Sequence, residues 1–141
     1  GREHTFSDGR ADSTLRHIDF SAPFDEGVRS RLCTAVQACG LPFRDHAVYA
    51  ATQGPRLETV AEINRLERDG AAMVGMTAMP EAILAREIGL AYAAIAVVAN
   101  HAAGRGRSTE MISMPDVAGI LDDGMNRVRR IIEQMAGANG N

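Results

Sequence analysis

Three short stretches of the chain carry side chains that together could contact one planar ligand. The stretches are GPRLETVAEI (residues 54–63), GMT (residues 75–77) and VVAN (residues 97–100). They supply a carboxylate at Glu58, a thioether beside a hydroxyl at Met76 and Thr77, and an amide at Asn100. A carboxylate accepts hydrogen bonds from ligand N–H groups, and an amide donates and accepts at once. This set predicts recognition of the polar edge of a heterocycle such as a cyclic amide.

Each of these side chains also has an ordinary structural interpretation that the local sequence leaves open. Glu58 could be a first-turn residue that the helix dipole stabilises. Thr77 could cap a helix while Met76 fills the core, and Asn100 could form a turn. Arg56 could bind a phosphate group or pair with a nearby acid.

The apolar pattern predicts a single α/β domain whose helices and strands alternate. Helices are expected at about 25–40, 59–68, 80–89 and 113–135, and strands at 46–52, 71–77 and 90–99. The last of these strands is apolar throughout, which indicates a central strand covered on both faces. The order αβαβαβα is typical of a largely parallel sheet flanked by helices. Ligands of such sheets bind where strands or loops meet helices, which is where all three stretches fall.

Local signals support several of these boundaries. Thr59 and Glu62 have the spacing of a capping box at the start of the second helix. Pro80 suits the first turn of the third helix. Between the third strand and the last helix, Gly104-Arg105-Gly106 is interpreted as part of a flexible linker.

Composition excludes several classes of function. The chain has 141 residues and a net charge of −3, and its basic residues form no stripe, so nucleic acid is not an expected partner. No apolar run approaches the roughly 20 residues that span a membrane. Cys33 and Cys39 fit neither a metal-ligand spacing nor a disulfide framework, which favours the cytoplasm. The histidine spacing predicts no metal site, and no serine nucleophile motif occurs.

Long ordered segments of the chain resemble one enzyme family. They are GREHTF, HIDFSAPFD, TQGPRLETVAEI, LERDG, VGMTAMPEAILAREIGLAYA and VVANHAAG. Over essentially all 141 residues, the chain resembles the trimeric purine nucleoside phosphorylase and methylthioadenosine phosphorylase family. The resemblance extends in particular to the bacterial branch that acts on S-methyl-5′-thioinosine. It implies a three-layer α/β/α fold with a mixed, mainly parallel sheet.

The resemblance also implies a reaction and residues that contact the base. The reaction is cleavage of an N-glycosidic bond by inorganic phosphate as co-substrate, with no cofactor and no metal. Glu58, with Leu57 beside it, falls where 6-oxopurine-specific members bind the base N1–H. Asn100 falls where they contact N7 and O6, and it is therefore the implied catalytic residue. Adenine-specific relatives carry Asp at the positions of Asn100 and Ala102, so the residues present here imply hypoxanthine as the leaving base.

Further matches concern the sugar and the phosphate. Met76 matches a methionine beneath the ribose, and Thr77 matches a hydroxyl on the phosphate. His17 matches a residue that reaches a neighbouring subunit's site in a homotrimer. Met114 stands where ordinary nucleoside phosphorylases have a histidine for the 5′-hydroxyl, and Ala118 nearby is apolar too. This pair implies a pocket for a 5′-methylthio group, although Met114 could instead pack on the core at the start of the last helix.

The chain departs from the family in one respect. A glycine-rich phosphate loop, an Arg-His-Gly phosphate contact and an Asn-Ala-x-Gly strand have no counterpart in its sequence. We therefore expect residues 1–141 to be the C-terminal portion of a single nucleoside phosphorylase domain, inactive and of low stability on its own because a truncated sheet exposes an edge.

The expected reaction of the family member is conversion of S-methyl-5′-thioinosine to hypoxanthine and 5-methylthioribose 1-phosphate in purine salvage. One alternative is a phosphorylase for methylthioadenosine, inosine or guanosine. Another is a catalytically silent binding or assembly module that uses the same fold.

Overall fold

Helices and two short strands alternate along the chain in the computed structural model, which describes residues 3–7, 17–109, 112 and 114–137. The elements are α1 (Glu26–Ala38), β1 (Tyr49–Ala51), α2 (Val60–Arg68), β2 (Met73–Gly75), α3 (Ala78–Glu87) and α4 (Met114–Gly137). Within these ranges, no helix is long and apolar enough to cross a membrane.

The two strands form a parallel pair. Tyr49 lies opposite Met73, and Ala51 lies opposite Gly75. Just past β1, the Thr52 N–H donates to the Gly75 carbonyl over 2.9 Å and completes the pairing of Ala51 with Gly75. Because α2 connects the strands, their carboxyl ends lie on the same edge. The predicted parallel strand–helix–strand unit is confirmed, with both strands shorter than the apolar runs suggested.

Short polar side chains set the starts of the first two helices. The Asp25 carboxylate accepts the Val28 N–H at 2.7 Å and caps α1. Thr59 caps α2, and Glu62 completes the capping box by accepting the Thr59 N–H at 2.8 Å. Such caps satisfy backbone donors that have no partner within the helix. Both helices therefore begin within a residue of the predicted positions.

The third helix has an irregular first turn. Its assigned range begins at Ala78, but Met79 has φ −117° and ψ 135°, which is extended backbone. A residue before proline is sterically pushed out of the helical region, so regular helix begins at Pro80, as predicted. It ends at Glu87, and Gly89 follows with a φ of +74°.

The predicted third strand, at residues 90–99, is wrong for the described structure. The sheet in that part of the chain comprises β1 and β2, and residues 91–99 have no strand assignment. A strand requires ladder hydrogen bonds from a neighbour, and neither β1 nor β2 supplies them here.

The segment nevertheless keeps the alternating burial of extended backbone. Ile95 packs on the core between α1 and α4, and Val97 lies directly against Gly124. Val98 follows Val97 on the opposite face of the segment and is 70% exposed. We expected residues 90–99 to be covered on both faces. This expectation is also wrong, because within the described ranges only one face of the segment is packed.

The main core lies between the first and last helices. Ala35 and Val36 of α1 and Ile131 of α4 are buried there. On α3, Ala82 is fully buried, while no large side chain among the described residues reaches that state. The buried core of the described residues is consequently made mostly of small side chains.

Candidate active site

Two of the three predicted stretches meet at the carboxyl edge of the β1–β2 pair. Gly54 belongs to the first stretch, and Met76 follows β2 directly. Gly54 has a φ of +64°, and a Cβ at this position would overlap the Met76 sulfur. Only glycine combines this left-handed backbone with so close an approach at little cost. The structure therefore confirms that the two stretches lie together.

The Glu58 carboxylate is held at the same edge. The Thr52 hydroxyl donates to Glu58 Oε1 over 2.7 Å, and the contact is half-buried. Thr59 is the N-cap of α2 and the acid of its first turn is Glu62, so Glu58 lies outside the helix. The alternative that Glu58 serves as a first-turn helix residue is therefore wrong.

Arg56 forms an ion pair with Glu62. Its two terminal nitrogens donate to the two oxygens of that carboxylate at 2.8 and 2.7 Å. This guanidinium, together with the Thr59 N–H and hydroxyl, lowers the pKa of Glu62 to about 2. The pairing is the ordinary alternative for Arg56, and the structure favours it over phosphate binding.

Thr77 stands at the beginning of α3 with its side chain exposed. Although it occupies the N-cap position, its side chain makes no capping hydrogen bond. Its backbone N–H instead donates to the Tyr49 hydroxyl at 3.3 Å. The predicted alternative of a capping hydroxyl is therefore wrong. The exposed hydroxyl can donate a hydrogen bond to a ligand.

Asn100 begins the loop after the third apolar segment and is exposed. Its amide nitrogen donates to the His101 carbonyl at 2.7 Å, which is a local turn contact. Within the described part of the chain, no hydrogen bond joins Asn100 to Glu58. The structure thus supports the interpretation of Asn100 as a turn residue. Its contact with a base remains a prediction.

The loop after Asn100 is ordered and packs on α2. The Gly104 N–H donates to the Ser108 carbonyl at 2.7 Å, and Ser108 is buried. The Arg105 guanidinium donates to Asn64 at 2.8 Å and to Glu67 at 2.6 Å, both on α2. The interpretation of this loop as a flexible linker is therefore wrong, because its central arginine is fixed by two partners.

The loop also approaches the start of α2. A Cβ at Gly104 would lie 2.9 Å from a methyl carbon of Val60. Val60 is the first residue of α2, two positions after Glu58. The third stretch is therefore connected through its loop to the helix that follows Glu58.

The remaining predicted site residues lie on the surface or outside the described side chains. Leu57 is 45% exposed, and His17 and Ala118 are exposed. Met114 is the first residue of α4, and its side chain lies outside the described part. Their proposed contacts remain predictions.

Thr52 and Tyr49 also lie at this edge, although the sequence indicated only that they belong to a strand. Thr52 contacts Glu58, and Tyr49 contacts the backbone of Thr77. The Tyr49 ring also packs over Gly75. A Cβ on Gly75 would lie 2.8 Å from Cζ of Tyr49, the ring carbon that carries the hydroxyl. A polar residue directly after a buried strand was the available signal for Thr52.

A parallel strand–helix–strand unit with polar side chains at its carboxyl edge is typical of ligand-binding α/β domains. The model of the phosphorylase superfamily matches residues 2–136, and the chain belongs to this superfamily.

Relatives of known name agree with this assignment. A probable S-methyl-5′-thioinosine phosphorylase of Pseudomonas syringae pv. tomato is 53% identical over 139 residues, which is 98% of this chain and 55% of that protein. The 6-oxopurine nucleoside phosphorylase of Pyrococcus furiosus is 45% identical over 107 residues, covering 73% of this chain and 40% of that protein.

A solved structure is similar along the whole chain. Methylthioadenosine phosphorylase of Schistosoma mansoni in complex with adenine superposes with a TM-score of 0.86 at 27% identity. The match covers 100% of this chain and 56% of the solved one. The fold is therefore the phosphorylase fold, and the chain spans about half the length of the curated relatives it matches.

Proposed function

We propose that this chain belongs to a purine nucleoside phosphorylase that cleaves a 6-oxopurine nucleoside with inorganic phosphate. The preferred substrate is S-methyl-5′-thioinosine, and the products are hypoxanthine and 5-methylthioribose 1-phosphate. The enzyme is a pentosyltransferase of purine salvage that uses phosphate as co-substrate and needs no other cofactor.

The observation that carries this proposal is the half-buried Glu58 carboxylate on the strand edge that also holds Thr77. Glu58 takes part in no ion pair among the described residues, so its second oxygen can accept a hydrogen bond from a neutral N–H. The N1–H of a 6-oxopurine is such a donor, whereas N1 of adenine is an acceptor. The carboxylate therefore favours the oxopurine.

The reaction forms a bond between a phosphate oxygen and C1′ while the bond between C1′ and N9 breaks. The electrons of the broken bond pass to the purine, which takes up a proton from water at N7. Asn100 stabilises the charge that builds on the base by contacting N7 and O6. Thr77 donates its hydroxyl to a phosphate oxygen, and Met76 lies under the ribose. Both hold the reactants in line.

The 5′ substituent is the second determinant of the substrate. Met114 and Ala118 provide an apolar surface without a donor for a 5′-hydroxyl, and a thioether side chain packs well on a methylthio group. Leu57 completes the base pocket beside Glu58. His17 contributes to the 5′ region of a neighbouring subunit in a homotrimer, and the enzyme acts in the cytoplasm.

We further propose that residues 1–141 form the C-terminal portion of one phosphorylase domain and do not catalyse alone. The exposed face around Val98 supports this assignment because an extended apolar segment packed on one face only is suited to accept further strands. A silent assembly module of the same fold is the competing hypothesis for the isolated chain.

A 6-aminopurine substrate is the second candidate, favoured by the similarity to the Schistosoma mansoni methylthioadenosine phosphorylase. The amide of Asn100 opposes it, since a carboxylate there would suit an exocyclic amino group better.

The decisive experiment compares phosphorolysis of three nucleosides by the full-length protein at saturating phosphate. We expect kcat/KM to be highest for S-methyl-5′-thioinosine, with methylthioadenosine and inosine both lower. A preference for methylthioadenosine would overturn the role of Asn100, and equal use of inosine would overturn that of Met114.

A further inference from the structure

Thr52 connects the sheet to the Glu58 carboxylate through two hydrogen bonds of its own. Its backbone N–H donates to the Gly75 carbonyl at 2.9 Å, which fixes Thr52 on the end of β2. Its hydroxyl donates to Glu58 Oε1 at 2.7 Å. The end of the strand pair therefore supports a side chain that lies in a loop.

The hydroxyl has one hydrogen and two acceptors within reach. Glu58 Oε1 is at 2.7 Å and the Gly75 carbonyl oxygen is at 3.4 Å. A hydrogen bond to an ionised carboxylate is the shorter and stronger kind, and Gly75 already has the backbone N–H of Thr52. The hydrogen of this hydroxyl is consequently committed to Glu58.

A second contact engages the guanidinium that lies close to Glu58 in the sequence. Arg56 lies two residues before it, but its guanidinium binds both oxygens of Glu62. A guanidinium on Glu58 would occupy the acceptor positions that an N–H of the base needs. Arg56 therefore acts on Glu58 through its charge alone. Among the described residues, Glu58 has one oxygen bound to a neutral hydroxyl and forms no ion pair, so the other oxygen can accept from a ligand.

We propose that Thr52 is a positioning residue for Glu58 and a determinant of selectivity for 6-oxopurines. It fixes Oε1 so that Oε2 meets the N1–H of the base. This inference rests on the proposed function, because it assigns Glu58 to the base. A nucleoside without an N1–H gains nothing from this arrangement.

The test measures steady-state kinetics of Thr52→Val in the full-length protein, since valine keeps the shape and removes the hydroxyl. We expect KM for S-methyl-5′-thioinosine to rise about tenfold, because a hydrogen bond to a charged group is lost. KM for phosphate and KM for methylthioadenosine should stay within about twofold of wild type, as neither contact involves Glu58 Oε2. Thr52→Ser keeps the hydroxyl and should restore the wild-type KM.

Thr34→Val is a matched control, because the Thr34 hydroxyl donates to the Ser30 carbonyl at an exposed position of α1, and its loss should leave all constants unchanged. An equal loss with every substrate in Thr52→Val would indicate a structural role and overturn the proposal. So would an unchanged KM for the oxopurine. If the valine variant does not fold, Thr52→Ser and Thr52→Ala provide the same comparison.

A double-mutant cycle with Glu58→Gln separates this inference from the proposed function. If the wild-type protein shows no oxopurine preference, the proposed function fails; if Glu58→Gln retains that preference, Glu58 does not recognise the base and the role of Thr52 fails with it. If Glu58→Gln loses the preference, adding Thr52→Val should cause no further loss, because positioning acts through the carboxylate. Additive losses would leave the proposed function intact and overturn the role of Thr52.

Discussion

The Met76 sulfur occupies the space in which a Cβ of Gly54 would lie. This contact joins the loop that leads to Glu58 with the end of β2. The two residues are 22 positions apart (76 − 54) and come from separate motifs of the sequence. Because the glycine also has a φ of +64°, the loop and the methionine fix one another's positions.

Gly54→Ala should therefore displace the Met76 side chain, which is proposed to lie under the ribose. The new methyl group must displace Met76, and it also meets the strain of a left-handed backbone. We expect a clear fall in melting temperature and a rise of about tenfold in KM for the nucleoside, since small misplacements at a site reduce binding and rate strongly.

Gly40→Ala is the matched control for this prediction. Gly40 has a nearly identical φ of +65°, but a Cβ there would meet nothing within 4 Å. It should cost only the conformational strain of about 1 kcal/mol, with unchanged KM. Equal effects of the two alanines on KM would contradict the proposed contact.

Local chemistry explains why the helices were predictable. Asp25, Thr59 and Pro80 each act on backbone groups within a few residues, so their effects are visible in the sequence. The apolar run at residues 90–99 was wrongly predicted to be a strand, because ladder hydrogen bonds depend on a neighbour that the apolar pattern does not specify.

Side-chain pairing limited the prediction of the site. Motif spacing placed Glu58 and Met76 on one edge of the sheet, but it could not show that Arg56 pairs with Glu62 or that Thr52 contacts Glu58. The loop of Arg105 was misjudged for the same reason. Its glycines suggested mobility, whereas the bonds to Asn64 and Glu67 are long-range contacts that order it.

Glu62 should make stability depend on pH in the acid range. Its pKa is lowered from 4.5 to about 2 by the Arg56 guanidinium first and then by Thr59. A lowered pKa in the folded state adds stability that is fully present above 4.5 and is lost as the pH falls through about 2. We expect the difference in unfolding free energy between wild type and Glu62→Gln to shrink over this range.

Denaturant unfolding at a series of pH values measures this difference. Glu133→Gln, at an exposed position of α4, serves as the control and should differ from wild type by a constant amount across the range. A Glu62→Gln difference that stayed constant with pH would show that the ion pair is not formed in solution.

Arg105→Ala should loosen the loop that follows Asn100. The ion pair with Glu67 is largely exposed, so its loss should change global stability by about 1 kcal/mol or less. The local effect should be larger, because the same guanidinium also binds Asn64. We expect faster amide hydrogen exchange at residues 101–108 and a higher KM for the nucleoside.

Arg107→Ala removes an exposed arginine from the same loop and is the control for charge. Its exchange rates and KM should match the wild-type values. If both variants exchanged at the wild-type rate, the two bonds of Arg105 would have no part in ordering the loop.

Met114→His should change the preference for the 5′ substituent. A histidine offers a donor to a 5′-hydroxyl and removes an apolar surface from a methylthio group. We expect kcat/KM for inosine to rise relative to S-methyl-5′-thioinosine by about tenfold, the scale of one hydrogen bond. Met125→His, at an exposed position of α4, should leave this ratio unchanged. An unchanged ratio in Met114→His would exclude residue 114 from the 5′ pocket.

Asn100→Asp should convert the site toward 6-aminopurines. The present amide can donate to O6 and accept from a protonated N7, whereas a carboxylate repels O6 and accepts from an amino group. Polar groups left unpaired in a binding site discriminate strongly, so the ratio of kcat/KM for S-methyl-5′-thioinosine to methylthioadenosine should fall by about 100-fold. Asn126→Asp adds the same charge at an exposed position of α4 and should leave the ratio at its wild-type value.

Because the Asn100 amide nitrogen donates to the His101 carbonyl, Asn100→Asp also removes that local contact. Retained selectivity in Asn100→Asp would exclude Asn100 from recognition of the base.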